Sequence, residues 1–439
     1  MGVDATSPTT QIVLDLPGFI VLAAGEYGGE LELLVETTTT VVRCRRCGGR
    51  AQAHDRREHL LRDVPVAGRA AVLVWWKRIW RCPDPGCAAR TWSERSPLAE
   101  PRRSLTARAK QWVTRRVGSD GESVAAVARS IGVGWWSVMR AVVEVGRPLV
   151  DDADRLGAVT GLGVDEHAWR RANAYRHTVY ATGVVGFRPG APARLLEVVQ
   201  GRSGKVYGDW LAARPAPWRQ QIRIAALDPF RGYLNALREH LPAATHVLDA
   251  FHVTALGMKA VDEVRRRVQQ ATLDRRGHKG DPLYEIRRLL RRRADRLTPT
   301  ALARLTTGLA VGDPDGELVT AWWAAQQLCL GYAMGDLAAA RAHAAELIEV
   351  FTDCPVPEVA RLGRTLATWR REYLAYFDTN RASNGPTEAV NLLIEKIRRI
   401  GHGYRRFDHY RLRLLLHCGI EWPTLEPPRI RRRRPRFMA

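Results

Sequence analysis

Between residues 158 and 254 the hydrophobic pattern of this chain switches repeatedly between two periods, and no other stretch narrows its folds as far. Strand-like runs AVTGLGVD, AYRHTVYATGVVG and ARLLEVVQG follow one another. A helical KVYGDWLAAR then leads into the apolar IRIAALD, a helical FRGYLNALREHL and a last strand ATHVLDAFHV. Three strands followed by helix, strand, helix and strand predict a mixed α/β sheet with helices on its faces. Beyond Thr254 the sequence turns Ala-, Leu- and Arg-rich with helical period, so residues 255–378 read as a helical insertion. The polar turn TNRASNGP then opens another helix from about Thr387.

The N-terminal part has a different character. Alternating QIVLDL and ELELLVETTTTVV, bounded by Pro17, Gly18 and the Gly28–Gly29 pair, predict short strands. Cys44-x-x-Cys47 and Cys82-x4-Cys87 follow, each on a Gly- or Pro-flanked turn that lets two sulfurs converge. Four thiolates suit one tetrahedral Zn²⁺ in a closed structural site. His54 and His59 lie between the pairs and read as surface residues. After a linker at Pro97 and Pro101, two helical stretches, SLTARAKQWVTRRV and ESVAAVARSIGVGWWSVMRAVVEVG, carry small residues at Ala128 and Gly132. Apolar Val127, Ile131, Val138 and Ala141 complete the needs of a helix-turn-helix, with Ser137 and Arg140 on the second helix facing a DNA groove.

The chain has 439 residues, with 68 Lys and Arg against 46 Asp and Glu, for a net charge of +22. At about 100–200 residues per domain this length asks for two to four domains. Hydrophobic and charged fractions of 46% and 26% exclude disordered, collagen-like and disulfide-scaffold classes. A surplus this large on a folded chain calls for a polyanion. The longest strongly apolar run, AAVLVWW at residues 70–76, falls far short of the roughly 20 residues that span a bilayer. No basic-then-apolar leader opens the sequence, and seven cysteines, four of them clustered, suit a reducing compartment. The expectation is a cytoplasmic protein without a membrane.

Two acids end apolar strands: Asp165 in GLGVDEHAWRR and Asp228 in IRIAALDPF. The order of elements is that of a ribonuclease-H-like sheet, in which the first and fourth strands are neighbours. The two carboxylates would then face one another and need divalent cations between them. Glu388, on the first turn of the helix after the insertion, is the third candidate, although a Glu there also complements a helix N-terminus, with Asn384 or Gly385 as the cap. Asp249 and Glu395 are fallback acids. His252 stands close to Asp249 in sequence. Arg265–Arg267, Arg287, Arg288, Arg291–Arg293 and Arg296 have few acids nearby in sequence and read as phosphate contacts, with Arg291 and Arg292 foremost. Lys396, Arg398, Arg399, Arg405 and Arg406 follow Glu388 closely, and a basic tail spans Arg429–Arg436.

Taken in order, the two cysteine pairs, the helix-turn-helix, GVDEHAWRR, the strand ending in Asp228, VLDAFHV and SNGPTEAVNLLIEKIRRIGHGYRRF resemble the ISL-three family of bacterial insertion-sequence transposases. The resemblance covers nearly the whole chain, and Ala389 stands where the family often has Gly. It implies a DDE transposase with Asp165, Asp228 and Glu388 as the metal-binding triad. An N-terminal zinc ribbon and double-stranded DNA as partner, both the element's inverted repeats and a target, are implied with it. The triad would hold two Mg²⁺ or Mn²⁺ ions, one Zn²⁺ would be structural, and joining two ends asks for a homodimer or higher. The implied location is the bacterial cytoplasm, on the nucleoid when DNA is bound. The expected organisation is N-terminal strands (1–40), zinc ribbon (41–96), helix-turn-helix (97–150), catalytic core (155–254), helical insertion (255–378), a C-terminal catalytic helix region (379–425) and a basic tail (426–439). A DNA-binding regulator that has lost cleavage and a nuclease that does not join strands are the rival expectations.

Overall fold

A computed structural model describes residues 14–423 except Arg176. They divide into two compact units: the described residues up to Arg155 together with those from Lys396 on, and Leu156–Glu395. The basic tail lies outside the described residues, as do positions 11–13 of the QIVLDL segment. No described helix is long and apolar enough to cross a membrane.

The first unit opens with a five-stranded sheet of β1 (Phe19–Tyr27), β2 (Glu30–Thr37), β3 (Gln52–Val66), β4 (Arg69–Arg81) and β5 (Thr91–Ser93). Its order is β1-β2-β4-β3, and β5 pairs with the far end of β4. The first described strand begins at Phe19; of the expected QIVLDL strand only residues 14–16 are described, where Leu14 and Leu16 are buried without strand pairing ahead of the turn at Pro17 and Gly18 (φ +78°). Long β3 and β4 reverse through Ala67 and Gly68, both at positive φ, and bury Leu61, Leu73 and Trp75 against Phe19, Leu33 and Val35. Arginines on this sheet are mostly tied to acids, Arg62 to Glu30 at 2.6 Å, Arg69 to Glu26 at 2.7 Å and Arg56 to Glu36 at 3.0 Å.

Helices α1 (Ala107–Gly118), α2 (Val124–Ile131) and α3 (Trp135–Asp151) follow. Thr106 and Ser123 cap the first two, each accepting a backbone N–H three residues on at 3.1 Å. α2 ends at Gly132 in the left-handed conformation (φ +70°), where a Cβ would meet the Arg62–Glu30 pair. Val127, Ile131 and Val138 are fully buried and Ala141 is buried too, as the spacing predicted. The last described helix, α15 (Phe407–Cys418), packs on α1 and α3 through Tyr410, Leu412 and Leu414–Leu416.

The second unit is built on the sheet read from the sequence: β6 (Gly161–Arg170), β7 (Val179–Arg188), β8 (Ala191–Gln200), β9 (Ile224–Leu227) and β10 (Thr245–Leu248). Its order is β10-β9-β6-β7-β8, antiparallel from β6 to β8 and parallel across β6, β9 and β10, so the first and fourth strands are neighbours. Helices α4 (Gly204–Ala212), α5 (Ala216–Gln220) and α6 (Arg231–His240) make the crossovers. Then come only helices: α7 (Ala250–Leu273), α8 (Pro282–Glu285), α9 (Pro299–Gly312), α10 (Glu317–Ala333), α11 (Leu337–Thr352), α12 (Pro357–Thr368), α13 (Arg370–Asp378) and α14 (Gly385–Ile400). Sheet and helices share one apolar core running from Leu162 and Leu227 to Trp322, Leu366 and Tyr373.

Candidate functional site

Four elements of the second unit bring the expected acids together. Asp165 lies on β6 just past the buried run Leu162–Val164, and Asp228 and Asp249 each follow the last residue of a short parallel strand, β9 and β10. Side chains at the C-terminal ends of adjacent parallel strands share one edge of the sheet, which is where an α/β fold offers a crevice. Glu388 lies exposed on the first turn of α14 and feels the charges of Asp249 and Asp228, but neither it nor Asp165 belongs to the set whose ligand atoms converge, which is Asp228, Asp249 and His252. α14 can approach because β6 carries Gly163: a Cβ there would collide with Thr387 Oγ1 and Asn384 Oδ1.

The electrostatics tie the group together. Burial, and next the Asp228 charge, push the Asp165 carboxyl up to about 6. Burial likewise raises Glu388, helped by the charges of Asp249 and Asp228 and opposed by His252. These carboxylates feel one another, and a cation would relieve them all. His252 is the positive group present. Its Nε2 lies 2.9 Å from Asp228 Oδ2 and its Nδ1 3.0 Å from Asp249 Oδ2. Burial works against its charge, but these two hydrogen bonds raise it to about 10. Asp228, Asp249 and His252 together place ligand atoms within 4.8 Å of one another.

Two asparagines hold the helix to the sheet. Asn391 Nδ2 donates to Asp165 Oδ2 at 2.5 Å, and the Glu166 N–H donates to Asp165 Oδ1 at 2.6 Å. Asn384, expected only as a cap, gives its backbone N–H to Asp249 Oδ1 at 3.0 Å. Its side-chain amide points to the Val164 carbonyl at 3.3 Å and Asp228 at 3.5 Å. Asp249, expected as a fallback acid, is buried and caps α7 through the His252 N–H at 3.1 Å. Burial pulls its carboxyl upward, yet the bonds from His252 and Asn384 leave it below its ordinary value. Glu395 lies two turns along α14 from Glu388.

Protons would compete with any divalent ion for Asp165. Metal-dependent turnover at limiting Mg²⁺ is therefore expected to rise with pH through about 6, because only the ionised carboxylate binds the ion. Asn391→Ala should move that midpoint upward, since the amide bond favours the charged form. A pH–rate profile checks both; an acid limb near the ordinary carboxylate value of about 4 counts against the assignment.

The four cysteines meet in the first unit. All four sulfurs lie within 4.8 Å of one another, with Cys47–Cys82 at 3.5 Å and Cys44–Cys87 at 3.8 Å. The edge of a ZnS₄ tetrahedron with Zn–S of about 2.3 Å is about 3.8 Å, so the set fits zinc. The first knuckle turns at Gly48 (φ +73°), whose N–H donates to Cys44 O at 2.9 Å, and the second through Cys87 N–H to Asp84 O at 3.2 Å. His54 stands apart, 2.9 Å from Arg81.

The arginine run needs correction. Arg265 is buried and bonded to Asp262 and Gln269, Arg266 pairs with Asp262 at 2.6 Å, and Arg267 bridges Glu358 at 2.7 Å and Glu317 at 2.8 Å. Arg293 pairs with Asp295 at 2.6 Å and Arg287 lies over the Tyr284 ring. These side chains hold the helical region together, while Arg291 and Arg292 remain exposed. Ser137 is half-buried and Arg140 exposed on α3, behind the exposed Trp135 and Trp136. Lys396, Arg398, Arg399, Arg405 and Arg406 all fall in the first unit.

Comparison with known proteins adds the following. A family model described as a transposase, of the DDE type of family ISL3, matches residues 162–414, and one described as the helix-turn-helix domain of transposase family ISL3 matches residues 94–146. Two curated relatives, each the transposase for insertion sequence element IS1557 from a strain of Mycobacterium tuberculosis, are 26% identical over 238 residues. That is 51% of this chain and 48% of theirs, so the chain spans about half the length of the curated relatives it matches. A solved structure, the Drosophila P element transposase strand transfer complex, aligns with 70% of this chain and 90% of its own at 10% identity and a TM-score of 0.38.

Proposed function

The chain belongs to the ISL3 family of transposases, and from that premise we propose that it is a DDE enzyme that cuts and joins DNA at the inverted repeats of its own insertion element. The observation that carries this reading is the placement of Asp165 on β6 and of Asp228 just past the end of the neighbouring strand β9, with Asp165 raised by burial and next by the Asp228 charge, and Glu388 raised by burial and next by the charges of Asp249 and Asp228. Oxygen donors that disfavour one another's charge suit hard divalent cations. Asp165, Asp228 and Glu388 would hold two Mg²⁺ or Mn²⁺ ions, which when bound activate a water or a DNA 3′-hydroxyl and stabilise the leaving oxygen at the scissile phosphate.

The remaining residues orient that set. Asn391 fixes the Asp165 carboxylate, His252 fixes Asp228, and Asp249 anchors the start of α14 through the Asn384 N–H. The strand order β10-β9-β6-β7-β8 supports a ribonuclease-H-like core. Cys44, Cys47, Cys82 and Cys87 would hold one Zn²⁺, and the domain limits given above stand as part of the proposal. Ser137 and Arg140 would meet a groove, with Arg291, Arg292, Lys396, Arg398, Arg399, Arg405 and Arg406 on phosphates. Joining two ends requires at least two copies on the DNA, in the bacterial cytoplasm.

The test uses the full chain and the DNA flanking its gene, with Mg²⁺ or with EDTA. Metal-dependent cleavage at the element ends followed by joining supports the reading. Cleavage without joining makes the protein a nuclease, and binding without cleavage makes it a regulator.

A further inference from the structure

One face of the first sheet gathers positive charge that forms no ion pair among the described residues. Arg57 on β3 and Lys77 on β4 are direct cross-strand partners, an arrangement of like charges that costs stability. Arg45 from the first cysteine turn and Arg95 and Arg102 from the linker join them around a cleft of about 660 Å³. The single carboxylate lining it, Glu94, is buried and already accepts from Thr37 Oγ1 at 2.7 Å, Trp75 Nε1 at 3.1 Å and the Arg78 N–H at 2.6 Å. None of the five cations is within ion-pair distance of a described acid, whereas Arg56, Arg62, Arg69 and Arg78 of the same sheet all are. The Nε2 atom of His59, also in the lining, is buried without a partner.

A sheet that pairs Arg56, Arg62, Arg69 and Arg78 with acids and gathers these five cations around one cleft offers that cleft to an anion. Arginine forks, a lysine and the hydroxyls of Thr91 and Ser93 suit the oxygens of phosphodiesters better than a lone carboxylate. The cleft also has a continuation: Arg102, at φ +61°, lines a second depression with Ser137 and Arg140 of α3. We propose that this cleft binds the DNA sugar–phosphate backbone beside the segment held by α3, so that zinc-knuckle sheet and helix-turn-helix track one duplex. The proposal rests on the reading of the chain as a DNA-binding transposase.

The experiment measures binding of the zinc-loaded full chain to a labelled mixed-sequence duplex of about 30 base pairs as a function of salt. Arg57→Gln with Lys77→Gln is compared with Arg56→Gln with Arg69→Gln, which removes the same charge from residues paired to Glu36 and Glu26. The cleft pair should lower the slope of log K against log salt by about 1.8, two phosphates at about 0.9 each, and weaken binding about tenfold or more. The control pair should leave the slope unchanged. Equal losses in both, a wild-type slope in the cleft pair, or displacement of the duplex by poly-glutamate as readily as by DNA overturns the proposal. If the cleft pair loses its zinc, Arg95→Gln with Arg102→Gln, both exposed, takes its place with the same expectation. A wild-type chain that binds no duplex would remove the DNA reading of the whole protein. Binding that only ignores the cleft variants would remove this inference alone.

Discussion

Asp165→Asn is expected to lower metal-dependent strand cleavage about a thousandfold or more, since metal stabilisation supplies several kcal/mol and each 1.36 kcal/mol is a factor of ten. DNA affinity should change little, because one acid among so many cations adds almost nothing to phosphate binding. The same substitution should not destabilise the metal-free chain. A carboxyl raised to about 6 in the fold binds protons more tightly than in the unfolded chain, so its contribution to stability falls as pH rises between about 4 and 6 and remains unfavourable above. A neutral amide removes that cost, of about 1–3 kcal/mol. Cleavage assays and thermal melts of one purified pair of proteins read both effects. Cleavage that survives in Asp165→Asn, or a variant that melts well below wild type at pH 7.5, would sink the assignment of Asp165 as a metal-holding carboxylate.

Removing zinc should have the other large effect, confined at first to one end of one sheet. The cysteine turns flank β3 and β4: Cys44 and Cys47 precede Gln52, while Cys82 and Cys87 follow Arg81, and Gln52 and Arg81 are the terminal pair of the ladder. An ion held by all four closes the open end of a long hairpin whose other end turns at Ala67 and Gly68. Structural zinc contributes about 10 kcal/mol or more in small modules, and part of that should be lost on chelation or in Cys82→Ser. Amide exchange should rise first near Gln52–Arg57 and Lys77–Arg81, while Leu61 and Leu73, buried against β1 and β2, stay protected. DNA binding should weaken with it. Fewer than one zinc per chain, or unchanged exchange after its removal, would refute the site.

The candidate acids stand out in the sequence because each obeys a local rule. Asp165 and Asp228 follow apolar runs, Glu388 lies in a first helical turn, and the period changes that order β6 to β10 are visible in the residues themselves. The supporting shell was not readable. Asn384 looks like a cap and Asn391 like a solvated helix position, and nothing local says that they reach Asp249 and Asp165, more than a hundred residues away. Arg267 of α7 was misread for the same reason, since its acids lie 50 and 91 positions on, whereas Arg265 and Arg266 pair with Asp262 only three and four positions back. The basic cleft needs the β3–β4 register, because only pairing shows that Arg57 and Lys77 are opposite one another.

The distance along the chain from Asp228 to the start of α14 bears on when the protein can act at all. Asn384 and Asp228 are separated by 156 positions, most of them in the helices that follow β10. Closing so long a loop is cheap at equilibrium, since each doubling of length costs only about 0.6 kcal/mol. In time it is expensive, because a ribosome adding about 5–20 residues per second completes the sheet and its two aspartates well before the glutamate emerges. The nascent chain thus carries its cysteine turns and helix-turn-helix for many seconds before it carries a third acid. The proposed set of acids is complete only once α14 has been made.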